Sequence, residues 1–275
     1  MFSKKRKAKP FHVNMLYMHG KIQMGKQNIN IGNYRTLIEN AFTRGNPQLV
    51  ILDLTTPGGS PTQSDLVYQE LMHWKKKTGI PLYIVVQDVC ASGGIWIAMA
   101  ADKVFANRVS TIGSIGVIVA IPSFVELMKK AGVEMNIYAA GKNKAGINPM
   151  KPVTPEQEAE MTQKLNTLHK IFKEHVTEGR GETLKLLTPD LFEGTVWLGE
   201  EAHGIGLIDG LGYTREAIAS HPDFKEDMEP KIKRYALRAP GIMGRFMGKS
   251  LIEAIVDALY HRIKSEGDDG PFKLH

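Results

Sequence analysis

Short runs of branched and aromatic residues alternate with stretches whose apolar positions recur every three or four residues. "HVNMLYM" (12–18) reads as a first strand. From Tyr34 the apolar positions Leu37, Ile38, Ala41 and Phe42 follow helical spacing until Gly45. "LVILDL" (49–54) and "LYIVVQD" (82–88) are continuous apolar runs of the kind found in strands buried on both faces. Further short strands are predicted at 103–106, 115–120 and 135–140, with a helix led by Ser123 between the last two. Ser60-Pro61-Thr62-Gln63 and Thr154-Pro155-Glu156-Gln157 both combine a hydroxyl cap, an early proline and a glutamine at the third position. Each opens a helix, and the second is predicted to run to about Glu178, before Gly179. "EAHGIGLIDGLG" (201–212) reads as a helix end, a short strand and a turn. Strands alternating with helices point to an α/β fold with a largely parallel sheet.

After Pro230 the texture changes. "RFMGKSLIEAIVDALYHRIKS" places Phe246, Leu251, Ile252, Ile255, Leu259 and Ile263 on one face of an amphipathic helix. The expected organisation is a basic tail at 1–10, one main domain at 11–228 and an extension at 229–275. The extension would comprise a strand and the helix, which would dock on its own domain, on another subunit or on a membrane surface.

Composition narrows the classes without choosing among them. Hydrophobic residues make up 43% and charged residues 23%, a soluble globular balance. No apolar run approaches the roughly 20 residues that cross a bilayer, and no signal peptide precedes the first strand. The single cysteine, Cys90, rules out an internal disulfide, so a cytoplasmic protein is expected. The net charge of +6 is partly gathered in Lys4, Lys5, Arg6, Lys7 and Lys9. That tail suits a solvated segment, or a peripheral contact with the inner face of the cytoplasmic membrane. No basic stripe interleaved with aromatics suggests nucleic acid as a partner.

Several chemistries lack their motifs. "GIGLID" and "GRFMGKS" miss the dinucleotide and phosphate-loop spacings. No Cys or His pair has metal-ligand spacing, G-x-S-x-G is absent, and His169 and His175 fall within the long helix. What remains are two glycine loops, "TTPGGS" and "CASGG", each after a buried strand, where open α/β sheets gather their ligands. Glycines there let backbone N–H groups approach a substrate oxygen. Ser92 would stand at the start of the following helix, either as its cap or as a nucleophile. A serine nucleophile needs a base, and without a suitable histidine a desolvated lysine serves. Lys142, Lys144 and Lys151, in the loop at 138–157, are equal candidates by spacing.

Taken in order, "TTPGGSPTQSDLVYQEL", "VCASGGIWIAMAADKVFANRVSTIGSIGVI", "AAGKNKAGINPMKPVTPEQ" and "LFEGTVWLGEEAHGIGLIDGLG" resemble the signal peptide peptidase A (protease IV) family of serine peptidases. The likeness spans about residues 12–220. It implies a Clp protease/crotonase-like spiral of ββα units and a Ser–Lys dyad. In that pattern Ser92 is the nucleophile, Lys144 the general base, and Ser114 the residue that orients the lysine. The backbone N–H groups of Gly59 and Gly93 form the oxyanion hole. No cofactor is implied. The expected partners are peptide or protein substrates, unfolded or membrane-released and with small or apolar side chains. The resemblance also implies a ring-like homo-oligomer with sites near subunit interfaces, serine and lysine coming from neighbouring subunits in compact members.

The chain departs from the family pattern at Ile95-Trp96, where two aromatics are usual, which marks both as substrate-groove candidates. Two rival readings use the same fold: a crotonase-like acyl-CoA enzyme, and a catalytically silent scaffold. The first should carry acidic catalytic residues and a CoA-phosphate patch, neither of which is evident. The second would leave Ser92 and Lys144 idle.

Overall fold

The computed structural model describes residues 9–141, 143–185 and 188–237. The amphipathic helix expected at 245–264 and most of the basic tail lie outside these residues.

Chain order is β1 (Lys9–His19), α1 (Ile31–Thr43), β2 (Leu49–Thr56), α2 (Pro61–Thr78), β3 (Leu82–Ala91), α3 (Gly93–Ala98), β4 (Lys103–Ala106) and β5 (Thr111–Gly113). There follow α4 (Val125–Lys130), α5 (Pro155–Arg180), β6 (Val196–Leu198), α6 (Gly199–Gly204), β7 (Gly210–Leu211), α7 (Thr214–Ala219) and β8 (Met228–Tyr235). One sheet runs β6-β5-β3-β2-β1-β8, with β4 pairing β3 and β7. Every described pairing is parallel except β5 with β6.

The pleat explains the burial. Phe11, Val13 and Met15 of β1, Leu49 and Ile51 of β2, and Tyr83 and Val85 of β3 share one face of the sheet. They pack with Phe105, Ala217 and Ile218 into one core. Alternate residues such as Leu16, Leu52 and Leu54 are equally buried on the other face, which explains why these strands read as unbroken apolar runs. A fully buried leucine or isoleucine contributes ~1.5–3 kcal/mol, so the sheet centre carries much of the stability.

Helix starts follow the capping chemistry of the sequence. Asn30 Oδ1 accepts from Asn33 N–H at 3.0 Å, and Ser60 Oγ from Gln63 N–H at 3.4 Å. At α5 the box closes in both directions: Gln157 N–H donates to Thr154 Oγ1 at 3.3 Å and Thr154 N–H to Gln157 Oε1 at 3.1 Å.

Three expectations are corrected. The runs at 115–120 and 135–140 are not strands. An apolar run becomes a strand only beside a free sheet edge, and β6 already occupies the far side of β5. Ile118 and Tyr138 are accordingly 85% and 94% exposed. Helix α5 also continues through Gly179 to Arg180. A Cβ at Gly179 would lie 2.7 Å from Met99 Sδ, so this glycine serves close packing on the α3 side rather than a helix end.

Candidate active site

Strand β3 delivers Ser92 to the sharp turn into α3. Its φ of 52° and ψ of −117° lie outside the regions comfortable for a residue with a Cβ. The turn is held from both sides. Ser92 N–H donates to the Gly113 carbonyl at 2.8 Å, and the Ser92 carbonyl accepts from Ile95 N–H at 2.9 Å. Although Ser92 occupies the cap position, its hydroxyl makes no capping hydrogen bond. The cap reading of this serine therefore fails, and the strained backbone leaves its side chain uncommitted to the helix.

The second glycine loop packs directly on this turn. A Cβ at Gly58 would meet the Ala91 carbonyl oxygen and Ser92 Cβ, each at 2.8 Å. Gly59 has φ of +145°, and a Cβ there would stand 2.1 Å from the Ile22 carbonyl oxygen. The segment after β1 fixes this loop as a short extra ladder. Ile22 N–H donates to Gly58 O at 2.9 Å, and Ser60 N–H to Ile22 O at 2.7 Å. Among the described residues the N–H groups of Gly59 and Gly93 have no hydrogen-bond partner. They are close neighbours, since a Cβ at Gly93 would lie 3.5 Å from Gly59 N. Gly93 N–H belongs to the first turn of α3, where no intrahelical acceptor exists.

These groups border a cavity of about 350 Å³. Ser92, Gly59, Gly93, Ser114 and Gly116 form its polar side, and Pro57, Pro61, Trp96, Val117, Ile118, Leu168 and Phe172 its apolar walls. None of these residues is charged, so the cavity suits a neutral, apolar guest beside two free donors and a hydroxyl. The structure thus brings together Ser92, Gly59, Gly93, Ser114 and Trp96 from the set picked out in the sequence. Ser114 follows β5 with φ of 53° and donates its N–H to the Thr195 carbonyl at 2.7 Å.

Two members of that set stand elsewhere. Ile95 is buried within α3 and is not among the cavity-lining residues. Lys144 is exposed on the loop between α4 and α5, its N–H donating to Gly141 O at 3.1 Å, and it does not line the cavity either. Lys151 lies on the same loop and lines a different hollow, with Gly141 and Gly146. Lys142 falls outside the described residues.

The sequence reading missed the walls supplied by α5. Leu168 and Phe172 are four residues apart and His175 three further on, so the helical register already placed the three on one face. What that face meets was not encoded locally. It also missed Asp53, a carboxylate in the middle of the apolar run "LVILDL". Fully buried, Asp53 accepts from His19 Nε2 at 2.8 Å, from Gln87 Nε2 at 2.7 Å and from the Tyr213 hydroxyl. Burial, followed by the Asp53 contact, pushes Tyr213 up to about 12, so it remains a neutral donor.

The model of peptidase family S49 matches residues 74–226. A Brucella abortus protein named Na(+)/H(+) antiporter NhaA is 35% identical over 210 residues, covering 75% of this chain and 28% of that protein. Protease 4 of Haemophilus influenzae is 31% identical over 185 residues, 66% of this chain and 29% of that protein. The chain thus spans less than a third of the length of these relatives. Among the described residues no helix is long and apolar enough to cross a membrane. Among solved structures, a mutant of a membrane-bound stomatin-specific protease in complex with a substrate peptide superposes with a TM-score of 0.53 at 16% identity. That match covers 91% of this chain and 99% of the other. At that identity the likeness speaks for the fold alone, the Clp protease-like α/β spiral expected from the sequence.

Proposed function

Since the chain belongs to peptidase family S49, we propose that it is a serine endopeptidase in which Ser92 is the nucleophile and Lys144 the general base. One observation supports this reading above all others: a strained, uncapped Ser92 beside the free N–H groups of Gly59 and Gly93 at the mouth of an apolar cavity. Strain of this kind persists only where the surrounding structure enforces it.

In the proposed reaction the neutral Lys144 amine takes the proton from Ser92 Oγ as that oxygen attacks the scissile carbonyl. The Gly59 and Gly93 N–H groups stabilise the oxyanion as it forms. The intermediate collapses with cleavage of the C–N bond, and Lys144 gives its proton to the leaving amine. Water then attacks the acyl carbon, Lys144 accepting its proton; the Ser92 Oγ–C bond breaks, Lys144 returns the proton to Ser92 Oγ, and the carboxylic product leaves with both residues restored. Ser114 is proposed to orient the lysine.

Lys144 lies outside the cavity in the single chain, so the base is proposed to arrive from a neighbouring copy in a ring-like homo-oligomer. The stretch between β5 and α5 that carries Lys144 also exposes large apolar side chains suited to such a contact, Ile118, Leu127 and Tyr138. The proposed substrates are unfolded or membrane-released peptides, signal-peptide-like and with small or apolar side chains, which fits a cavity without charged walls.

Ser92→Ala and Lys144→Ala, each alone, should abolish cleavage of an unstructured peptide. Unfolded and refolded together, the two variants should regain activity, because some interfaces would pair an intact serine with an intact lysine. Full activity of either variant would overturn the dyad, and failure of the mixture to recover would overturn delivery of the base from a second copy.

A further inference from the structure

Trp96 is held more tightly than a cavity wall requires. Its indole stacks on His175 with centroids 4.4 Å apart and planes 19° from parallel. Phe172 tilts against it at 5.3 Å, and its Nε1–H donates to Asp65 Oδ1 at 3.2 Å. His175 is fixed in turn, standing edge-on to Tyr68 at 4.5 Å. Its Nε2 lies 3.0 Å from the Trp96 carbonyl. A carbonyl only accepts, so Nε2 carries the proton and the ring is the Nε2–H tautomer. Burial, the largest influence on this ring, lowers its pKa, which keeps it neutral near pH 7. Three helices therefore converge on one indole: α2 through Asp65, α5 through Phe172 and His175, and α3 from its own backbone.

A ring gripped on its face, edge and backbone cannot swing aside, so the wall it forms keeps one shape. We propose that His175 is a positioning residue that sets substrate choice, holding the Trp96 indole as a fixed wall so that the cavity beside Ser92 has a preset shape and distinguishes a small from an aromatic side chain. The inference rests on the reading of Ser92 as the nucleophile, because only then does this cavity receive the substrate residue next to the cleaved bond. Its geometric basis is that Trp96 and Phe172 line the same cavity as Ser92. His175 is not among the lining residues, so its influence passes through Trp96. A rigid pocket separates side chains that differ by one methylene by about 10- to 200-fold, and the larger difference between alanine and phenylalanine belongs at the upper end of that range.

The test uses two unstructured peptides that differ only in alanine or phenylalanine on the amino side of the cleaved bond. For the unmodified protein, kcat/KM should differ between the two peptides by about 100-fold, and equal rates would overturn the inference. Trp96→Ala should bring the ratio near unity. His175→Ala should lower it about tenfold or more, whereas His175→Phe, which keeps a flat ring against the indole, should keep most of it. If Trp96→Ala fails to fold, Trp96→Leu replaces it. A purely structural role for His175 would lower both rates alike and leave the ratio untouched; that result overturns the inference. The same two peptides are also titrated calorimetrically against Ser92→Ala, with and without the Trp96 and His175 changes. Should cleavage prove independent of Ser92, the proposed function fails and binding alone decides this inference. A preference that depends on both residues supports it, and one indifferent to them overturns it.

Discussion

The Ser92 N–H donates to the Gly113 carbonyl at 2.8 Å, extending by one rung the ladder in which Ala91 pairs with Gly113. The strand therefore ends, and the helix begins, on a residue whose backbone is locked with φ of 52°. The neighbouring strand β5 bears this strain, so the hydroxyl projects from a fixed point instead of folding back to cap the helix.

This lock predicts an inversion of the usual ranking of alanine over glycine. Both Ser92→Ala and Ser92→Gly remove the hydroxyl, but only glycine relieves the strained conformation. Ser92→Gly should be the more stable of the two by ~1 kcal/mol, a difference of ~2–4 °C in Tm for a protein of this size. Thermal unfolding followed by circular dichroism measures it. An alanine variant as stable as the glycine variant would mean that the turn is not strained.

Gly59→Ala should be severe for two reasons at once, a left-handed backbone and a Cβ placed 2.1 Å from the Ile22 carbonyl oxygen. A cost of at least ~2 kcal/mol is expected, and the Gly59 N–H should be displaced in any protein that still folds. Urea unfolding gives the first quantity and peptide cleavage the second. A variant of unchanged midpoint and rate would contradict the tight apposition of the two loops.

The His19–Asp53 pair should make stability depend on pH. The hydrogen bond to Asp53 is the main influence raising the His19 pKa above 6.5, and burial opposes it. A raised folded value favours the protonated form in the native state. The stabilisation is therefore complete below pH 6.5 and is lost as pH rises through the folded value. The stability difference between the unmodified protein and His19→Gln should accordingly be larger at about pH 5.5 than at about pH 8.5. A difference that grows with pH would refute the assignment.

Arg180 closes α5 onto the segment before β7. Its Nη1 and Nη2 each donate to Asp209 at 2.9 Å, and its Nε donates to the Gly206 carbonyl at 3.0 Å. The guanidinium is nearly fully buried. Arg180→Met would leave the Asp209 carboxylate partly buried without its partner and should cost ~3–5 kcal/mol. The measurement is the urea midpoint at unchanged slope; a shift under 1 kcal/mol, by the same scale, would show that the pair is replaceable.

Local pattern was enough for β1 to β4, since branched runs buried on both faces have few other fates. It was also enough for the starts of α2 and α5, where cap, proline and glutamine act over four residues. It misled where the outcome depends on a distant neighbour. The run at 115–120 is as apolar as a strand, but nothing in its letters reveals that β6, far along the chain, takes the place beside β5. Gly179 looked like a stop signal, whereas the reason for it is Met99, far away in sequence. At the site, the two glycine loops and Ser92 were legible because backbone demands are written in glycine and serine. Leu168, Phe172 and His175 showed their shared face but not its destination, which depends on how α5 crosses α3.

The central claim is that Ser92 is the nucleophile. The most direct measurement treats the protein with a serine-directed fluorophosphonate and maps the modified peptide by mass spectrometry. The account predicts one adduct, on Ser92, formed in parallel with loss of peptide cleavage and absent from Ser92→Ala. Inactivation with the adduct on another residue, or cleavage that persists after Ser92 is fully labelled, would contradict it.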